Sequence, residues 1–79
     1  MSDEAISYAE QYEQYICGSI MGNPTVSGVM HTLVMVSNDG WGGYDSGAIV
    51  GYAVQDACPS QWPVLEMFVA SVPNGKGVA

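Results

Sequence analysis

Helix-breaking residues divide the chain into four short segments. The breaks are Asn23-Pro24, the glycine-containing run 37–43 and Pro59. Proline cannot donate a backbone hydrogen bond, and glycine with asparagine and aspartate favours turns. The segments between the breaks carry apolar residues mostly at helical spacing. We therefore predict one all-α domain over residues 1–79, a small bundle of three to four helices, with 73–79 as a flexible tail.

Residues 3–21 predict an amphipathic first helix, because apolar side chains recur at spacings of three and four. Asp3 and Glu4 fall in the first turn, where the helix dipole favours negative charge. The predicted buried face contains Ala5, Ala9, Tyr12, Ile16 and Ile20. The predicted outer face contains Asp3, Ser7, Glu10, Gln14 and Gly18.

Residues 25–37 are ambiguous, since helical spacing coincides with many β-branched side chains, which favour strands. A helix is favoured because Asn23 or Thr25 can cap it and Pro24 can occupy its first turn. The predicted apolar face contains Val26, Val29, Met30, Leu33 and Val34. The predicted outer face contains Ser27, Gly28, His31 and Met35.

Residues 46–58 predict a third helix that is apolar around most of its circumference, with Asp45 or Ser46 as its N-cap. Such a helix belongs at the centre of a bundle. A fourth helix would follow Pro59, with Ser60 as cap and Pro63 in its first turn. Its predicted apolar face contains Trp62, Leu65, Phe68, Val69 and Val72.

Cys17 and Cys58 each lie near the end of a predicted helix. If the first and third helices pack antiparallel or cross, the two sulfurs can meet, with Cα atoms less than ~7 Å apart. An oxidising compartment favours a disulfide between them. A reducing cytosol favours two buried thiols that act as small apolar side chains.

The residues around the second cysteine form a pattern that can be compared with known protein families. Residues 43–59 read Gly-Tyr-Asp-Ser-Gly-Ala-Ile-Val-Gly-Tyr-Ala-Val-Gln-Asp-Ala-Cys-Pro, and Trp-Pro-Val-Leu follows at 62–65. With a first helix ending at Cys17, this order resembles a family of small actinobacterial proteins of unknown function, found in mycobacteria and actinobacteriophages. The resemblance covers residues 5–70, and Cys58-Pro59 is its most specific part. It implies a disulfide and brings no catalytic residues.

The charge balance restricts the partners. The chain of 79 residues has eight carboxylates, one lysine and no arginine, for a net charge of −7. Binding to nucleic acid or anionic lipid needs lysine and arginine, so we expect a basic protein partner and no nucleic acid.

No apolar run is long enough to predict a membrane span. Residues 1–16 do not resemble a signal peptide. The expected location is the bacterial host cytoplasm for an unprocessed chain, and extracytoplasmic for a mature exported form.

The sequence predicts no catalytic, metal or cofactor site. A Cys–His pair would require His31, which no third group orients, and zinc-ligand spacing is lacking. The loop 38–43 lacks the ligand spacing of a calcium loop. We therefore expect a protein that is not an enzyme.

Aromatic residues at the predicted edges are the candidate interaction residues: Tyr8, Tyr12, Tyr15, Trp41 and Tyr44. Alternatives are that the tyrosines pack on the fourth helix and that Trp41 belongs to a structural turn.

The leading hypothesis for the function of the protein is a non-catalytic protein-interaction module, phage-encoded and directed at a host bacterial protein. One alternative is a small apolar-ligand carrier, with a cavity lined by Met21, Met30, Met67 and Phe68. Another is a virion accessory protein.

Overall fold

The computed structural model describes residues 1–72, which fold into four α-helices with no strand in that range. The helices are α1 (Asp3–Gly22), α2 (Val26–Ser37), α3 (Gly43–Ala57) and α4 (Trp62–Ser71), and a 3-10 turn spans Pro59–Gln61. The predicted all-α bundle is confirmed, including the ambiguous second segment. The segment predicted as a flexible tail, 73–79, lies outside the described residues.

Side-chain caps fix the starts of the first two helices. The Ser2 hydroxyl accepts a hydrogen bond from the Ala5 amide at 3.1 Å. The Thr25 hydroxyl accepts one from the Gly28 amide at 3.0 Å, so Thr25 rather than Asn23 is the cap of α2. Each cap satisfies an amide that has no partner inside the helix. Pro24 therefore lies before α2 and not in its first turn.

The predicted caps of the last two helices are wrong. Helix α3 begins at Gly43 after Gly42, without a side-chain cap, and Ser46 lies inside it with its hydroxyl donating to the Trp41 carbonyl at 3.4 Å. Helix α4 follows Gln61 because the 3-10 turn occupies Ser60. Pro63 in the first turn of α4 is confirmed.

Helix α3 is central, as predicted. It contacts α1, α2, α4 and the 3-10 turn, and its contact with α1 is the largest between any two helices. Helix α4 contacts α2 and α3 but not α1, and none of its side chains is fully buried. The main cluster of buried apolar side chains consists of Ala5, Ala9, Ile16, Cys17, Ile20, Val36, Ile49, Val50, Ala53, Val54 and Cys58, and Val29 is also buried.

Helix α2 is rotated relative to the predicted face. Gly28 and Thr32 are buried, whereas Met30 and Val34 are exposed. The Thr32 hydroxyl donates to the Gly28 carbonyl at 2.9 Å and lies 2.7 Å from the Ser19 hydroxyl on α1. These hydrogen bonds satisfy the polar atoms and allow small polar residues to face the core. Placing Gly28 on the outer face was therefore wrong.

The predicted disulfide between Cys17 and Cys58 is present. The two Cα atoms lie 6.0 Å apart, and both side chains are buried. Because the residues are separated by 41 positions, the bond closes a large loop that contains all of α2 and α3. It joins the second half of α1 to the residue that follows α3.

Replacing both cysteines by alanine is expected to reduce the free energy of unfolding by about 4 kcal/mol, since the cross-link limits the entropy of the unfolded chain. Urea denaturation followed by circular dichroism measures this change. The wild-type protein in a strong reductant should approach the stability of the double variant. A loss below about 1 kcal/mol in both comparisons would contradict a stabilising role.

Gly28→Ala is expected to destabilise the fold by about 1–3 kcal/mol, the usual cost of overpacking. A Cβ at Gly28 would overlap the Asn23 carbonyl oxygen, which holds the turn into α2 through a 2.8 Å hydrogen bond from the Thr25 amide. The matched control is Gly18→Ala on α1, where nothing lies near the added methyl group. That change should stabilise the protein by about 1 kcal/mol through helix propensity. Equal effects on thermal unfolding would refute the close approach at Gly28.

Candidate binding groove

A groove of about 200 Å³ lies between α1 and the end of α2. We call it the tyrosine groove, after the three tyrosines that form much of its wall. Its lining residues are Tyr8, Tyr12, Tyr15, Ile16, Met35, Val36 and Asp39. It thus combines aromatic rings, a thioether and one carboxylate.

The spacing of the tyrosines places them on one side of α1. Residues three and four apart are neighbours on a helix surface, so Tyr8, Tyr12 and Tyr15 form a continuous row. The rings of Tyr8 and Tyr12 have centroids 4.6 Å apart and are tilted by 44°. Tyr12 was expected on the buried face and is instead partly exposed, because α3 packs on the adjacent side around Ala9 and Ile16.

The loop after α2 folds back onto α1 and joins the tyrosine row. The Tyr8 hydroxyl donates a 2.6 Å hydrogen bond to Oδ2 of Asp39. The Tyr8 ring meets the Trp41 ring edge-on, with centroids 5.5 Å apart. Gly40 permits this turn, since its φ of +100° is rarely adopted by residues with a side chain. The sequence alone did not place the loop beside the first helix.

The environment of Tyr8 keeps its hydroxyl protonated. Partial burial, the hydrogen bond to Asp39 and the negative charge of Asp39 all raise the Tyr8 pKa well above its usual range. The hydroxyl therefore remains a donor beyond the alkaline pH at which an ordinary tyrosine ionises, and it keeps its hydrogen bond to Asp39 at the rim of the groove.

The five predicted interaction residues separate into three groups. Tyr8 and Trp41 are half-buried, and Trp41 packs partly against the core. Tyr12 and Tyr15 are 38% and 65% exposed on the groove. Tyr44 is 85% exposed at the start of α3 and does not line the groove. The tyrosines line a groove with the end of α2 and not with the fourth helix, whose Cα atoms all lie more than 8 Å from those of α1 within the described residues.

Carboxylates surround one end of this aromatic surface. A shallow open depression next to the tyrosine groove is lined by Asp3, Glu4, Ser7, Tyr8, Gln11 and Trp41. Tyr8 and Trp41 thus stand between two acidic positions, Asp39 on one side and the first turn of α1 on the other. This edge of the molecule favours positively charged groups.

An acidic cluster between α1 and α3 was not predicted from the sequence. The Tyr52 hydroxyl donates to Oε2 of Glu10 at 2.7 Å, which raises the pKa of Tyr52 to about 12. A hydrogen bond with Asp56, loss of solvent and repulsion by Asp56 and Glu10 raise the pKa of Glu13. The sequence feature that could have indicated this cluster is the spacing of Glu10 with Glu13 and of Tyr52 with Asp56, since each pair lies one helical turn apart.

In residues 1–72 no group of three His, Cys, Asp or Glu side chains is arranged to hold a metal ion.

A cavity of about 120 Å³ lies between α2, α3 and α4, lined by Val29, Leu33, Gly47, Val50, Gly51, Leu65, Phe68 and Val69. Of the residues expected to line a ligand cavity, only Phe68 does so. Met21, Met30 and Met67 are exposed.

No family model, curated protein or solved structure matches this chain. The resemblance to the actinobacterial family therefore remains a prediction from the sequence. Among residues 1–72, no helix has the length and apolar character needed to cross a membrane.

The acidic cluster predicts a pH dependence of stability. Folding favours protonated Glu13, so its contribution is present below the ordinary pKa of 4.5 and is lost as pH rises through the raised folded-state pKa. Glu13→Gln should therefore be more stable than the wild type at about pH 7 and lose this advantage at about pH 4. Thermal unfolding at both pH values measures the difference.

The matched control is Glu66→Gln, which removes the same charge from an exposed position on α4. It should not reproduce the pH-dependent gain of Glu13→Gln. If the stability of the two variants follows the same pH profile, the gain comes from the change in net charge. The repulsion between Glu13 and Asp56 is then not its cause.

Proposed function

We propose that this protein is a non-catalytic binding module that engages a basic protein partner through the tyrosine groove. The observation that supports the proposal most is the junction at Tyr8. Its hydrogen bond to Asp39 and its contact with Trp41 combine the aromatic row of α1 and the aromatic loop into one surface. Two aromatic features that are distant in sequence thereby become a single candidate interface.

The two exposed tyrosines are suited to carry binding energy. Tyrosine buries a large area at a low cost in side-chain entropy, and hot spots at protein interfaces are enriched in tyrosine and tryptophan. Tyr12 and Tyr15 line the open groove together with Tyr8. The ring of Tyr8 packs against Trp41, which fixes the position of Tyr8 in the groove wall. A surface that is ordered before binding loses less conformational entropy when the partner docks.

The charge of the chain supports a basic partner. A net charge of −7 attracts cationic surfaces over long range, and Asp3, Glu4 and Asp39 lie beside the aromatic residues. Residues 1–72 contain no lysine or arginine that would oppose this field. Association should accordingly slow as salt is added.

The size of the apolar cavity favours this function over a ligand carrier. Sites for drug-sized ligands enclose roughly 300–1,000 Å³. The cavity between α2, α3 and α4 measures about 120 Å³, and exposed methionines do not line it. We further propose that the protein is phage-encoded and directed at a bacterial host protein, since the family that it resembles around Cys58-Pro59 also occurs in actinobacteriophages.

Affinity capture from an actinobacterial lysate, followed by binding measurements on the captured protein, tests the proposal. Tyr12→Ala and Tyr15→Ala should each weaken binding about tenfold or more, the scale of interface hot spots. Tyr44→Ala is the matched control, because it removes a more exposed tyrosine that lies outside the groove. It should change the dissociation constant less than about threefold.

All three variants should first be shown to fold, by circular dichroism and thermal unfolding. The proposal is wrong if the folded groove variants bind the captured partner as tightly as the wild type. It is also wrong if Tyr44→Ala is the only variant that weakens binding, since the working surface would then lie at the start of α3.

A further inference from the structure

We propose that the tyrosine groove receives one arginine side chain of the protein partner, with its guanidinium against the tyrosine rings and hydrogen-bonded to Asp39. This inference rests on the proposed function, because the partner supplies the arginine. It adds the chemical group that the groove recognises. Three properties of the groove support it: its volume, its aromatic wall and the position of its carboxylate.

The volume selects a single side chain over a larger ligand. The groove encloses about 200 Å³, below the roughly 300–1,000 Å³ of sites that bind drug-sized molecules. It is open along one side, between α1 and the end of α2, so a side chain can enter from a docked protein surface. Met35 lines it and offers apolar contact to the methylene groups of a long side chain.

The wall of the groove attracts a cation. A guanidinium within about 6 Å of a ring centroid is favoured by the negative face of the aromatic ring. Three tyrosines line the groove, and the rings of Tyr8 and Tyr12 are tilted by 44° so that they do not form a flat surface. Aromatic residues grouped in this way are a common means of binding cations.

The carboxylate of Asp39 supplies the opposite charge and is fixed in place. The Tyr8 hydroxyl donates to Oδ2 of Asp39, which orients the carboxylate at the groove. An ionised carboxylate has about four acceptor positions, so this hydrogen bond leaves others available for a ligand. Residues 1–72 contain no lysine or arginine to neutralise Asp39.

Arginine fits this combination better than lysine. A planar guanidinium can stack on an aromatic ring and at the same time donate hydrogen bonds in its own plane to a carboxylate. The ammonium group of lysine is compact and strongly hydrated, and it loses more on entering a groove walled by rings. We therefore expect discrimination between the two cations, and not only a general preference for positive charge.

Nuclear magnetic resonance titration of the wild-type protein with three short peptides tests the inference. The probes are acetyl-Gly-Arg-Gly-amide, the corresponding lysine peptide and the corresponding citrulline peptide, in which a neutral urea replaces the guanidinium. The arginine peptide should shift the ring signals of Tyr12 and Tyr15. The citrulline peptide should bind about tenfold more weakly, and the lysine peptide at least about threefold more weakly.

Matched variants separate the local contacts from the overall charge. Asp39→Asn retains an acceptor for the Tyr8 hydroxyl but removes the charge, and it should weaken binding of the arginine peptide about tenfold. Asp45→Asn removes the same charge outside the groove lining and should change binding less than about twofold. Tyr12→Leu should weaken binding about fivefold, whereas Tyr44→Leu should have no effect.

Several outcomes would overturn the inference. They are equal binding of the arginine and citrulline peptides, lysine binding as tight as arginine binding, equal effects of Asp39→Asn and Asp45→Asn, and ring shifts confined to residues outside the groove. If the groove variants lose the captured partner while the arginine peptide does not bind, the proposed function stands and the arginine assignment fails. If the peptide binds but Tyr12→Ala and Tyr15→Ala retain the partner, the proposed function fails instead.

Discussion

The disulfide between Cys17 and Cys58 is the constraint on which the rest of the structure depends. It joins α1 to the end of α3, the two helices that share the largest contact in the bundle. Small residues such as Ala9 and Ala53 allow these helices to approach closely. A domain of this size buries limited apolar surface, so a covalent tie contributes a large share of its stability. The helix pair then serves as the support on which α2, the loop and α4 pack.

The position of the groove follows from this arrangement. With one side of α1 packed on α3, the neighbouring row of tyrosines remains open to the end of α2. The contacts of Tyr8 with Asp39 and Trp41 complete the surface by holding the loop in place. The same approach of α1 and α3 brings Glu10 to Tyr52 and Glu13 to Asp56, where like charges oppose the packing. One side of α1 thus forms the proposed binding surface, while another carries an electrostatic cost.

Features that depend on local sequence were predictable, and those that depend on distant contacts were not. The breaks at Pro24, at 37–43 and at Pro59, with the helical spacing between them, predicted three to four helices and the central place of α3. The positions of Cys17 and Cys58 near helix ends made their pairing predictable. The tyrosine row was also visible in the sequence, because its spacing is local.

The orientation of α2 could not be predicted from apolar spacing, since hydrogen bonds among Ser19, Thr32 and Gly28 turn a polar side toward the core. The junction of the loop with α1 was equally inaccessible, because Tyr8 and Asp39 are 31 positions apart and neither residue type alone indicates the other. The separation of Tyr44 from the groove also depends on the fold, because nothing in its local sequence shows which surface the start of α3 would occupy.

The absence of fully buried side chains in α4 has a consequence for the local stability of the domain. Elements that bury little apolar surface open at a lower cost in free energy than the core of the same protein. Backbone amides of α4 should therefore exchange with solvent through local openings that leave the α1–α3 pair intact. The tyrosine groove is formed by α1 and the end of α2, and of these two helices α2 is the one that contacts α4 in the described range. Local opening of the last helix can therefore reach the proposed binding surface only through α2.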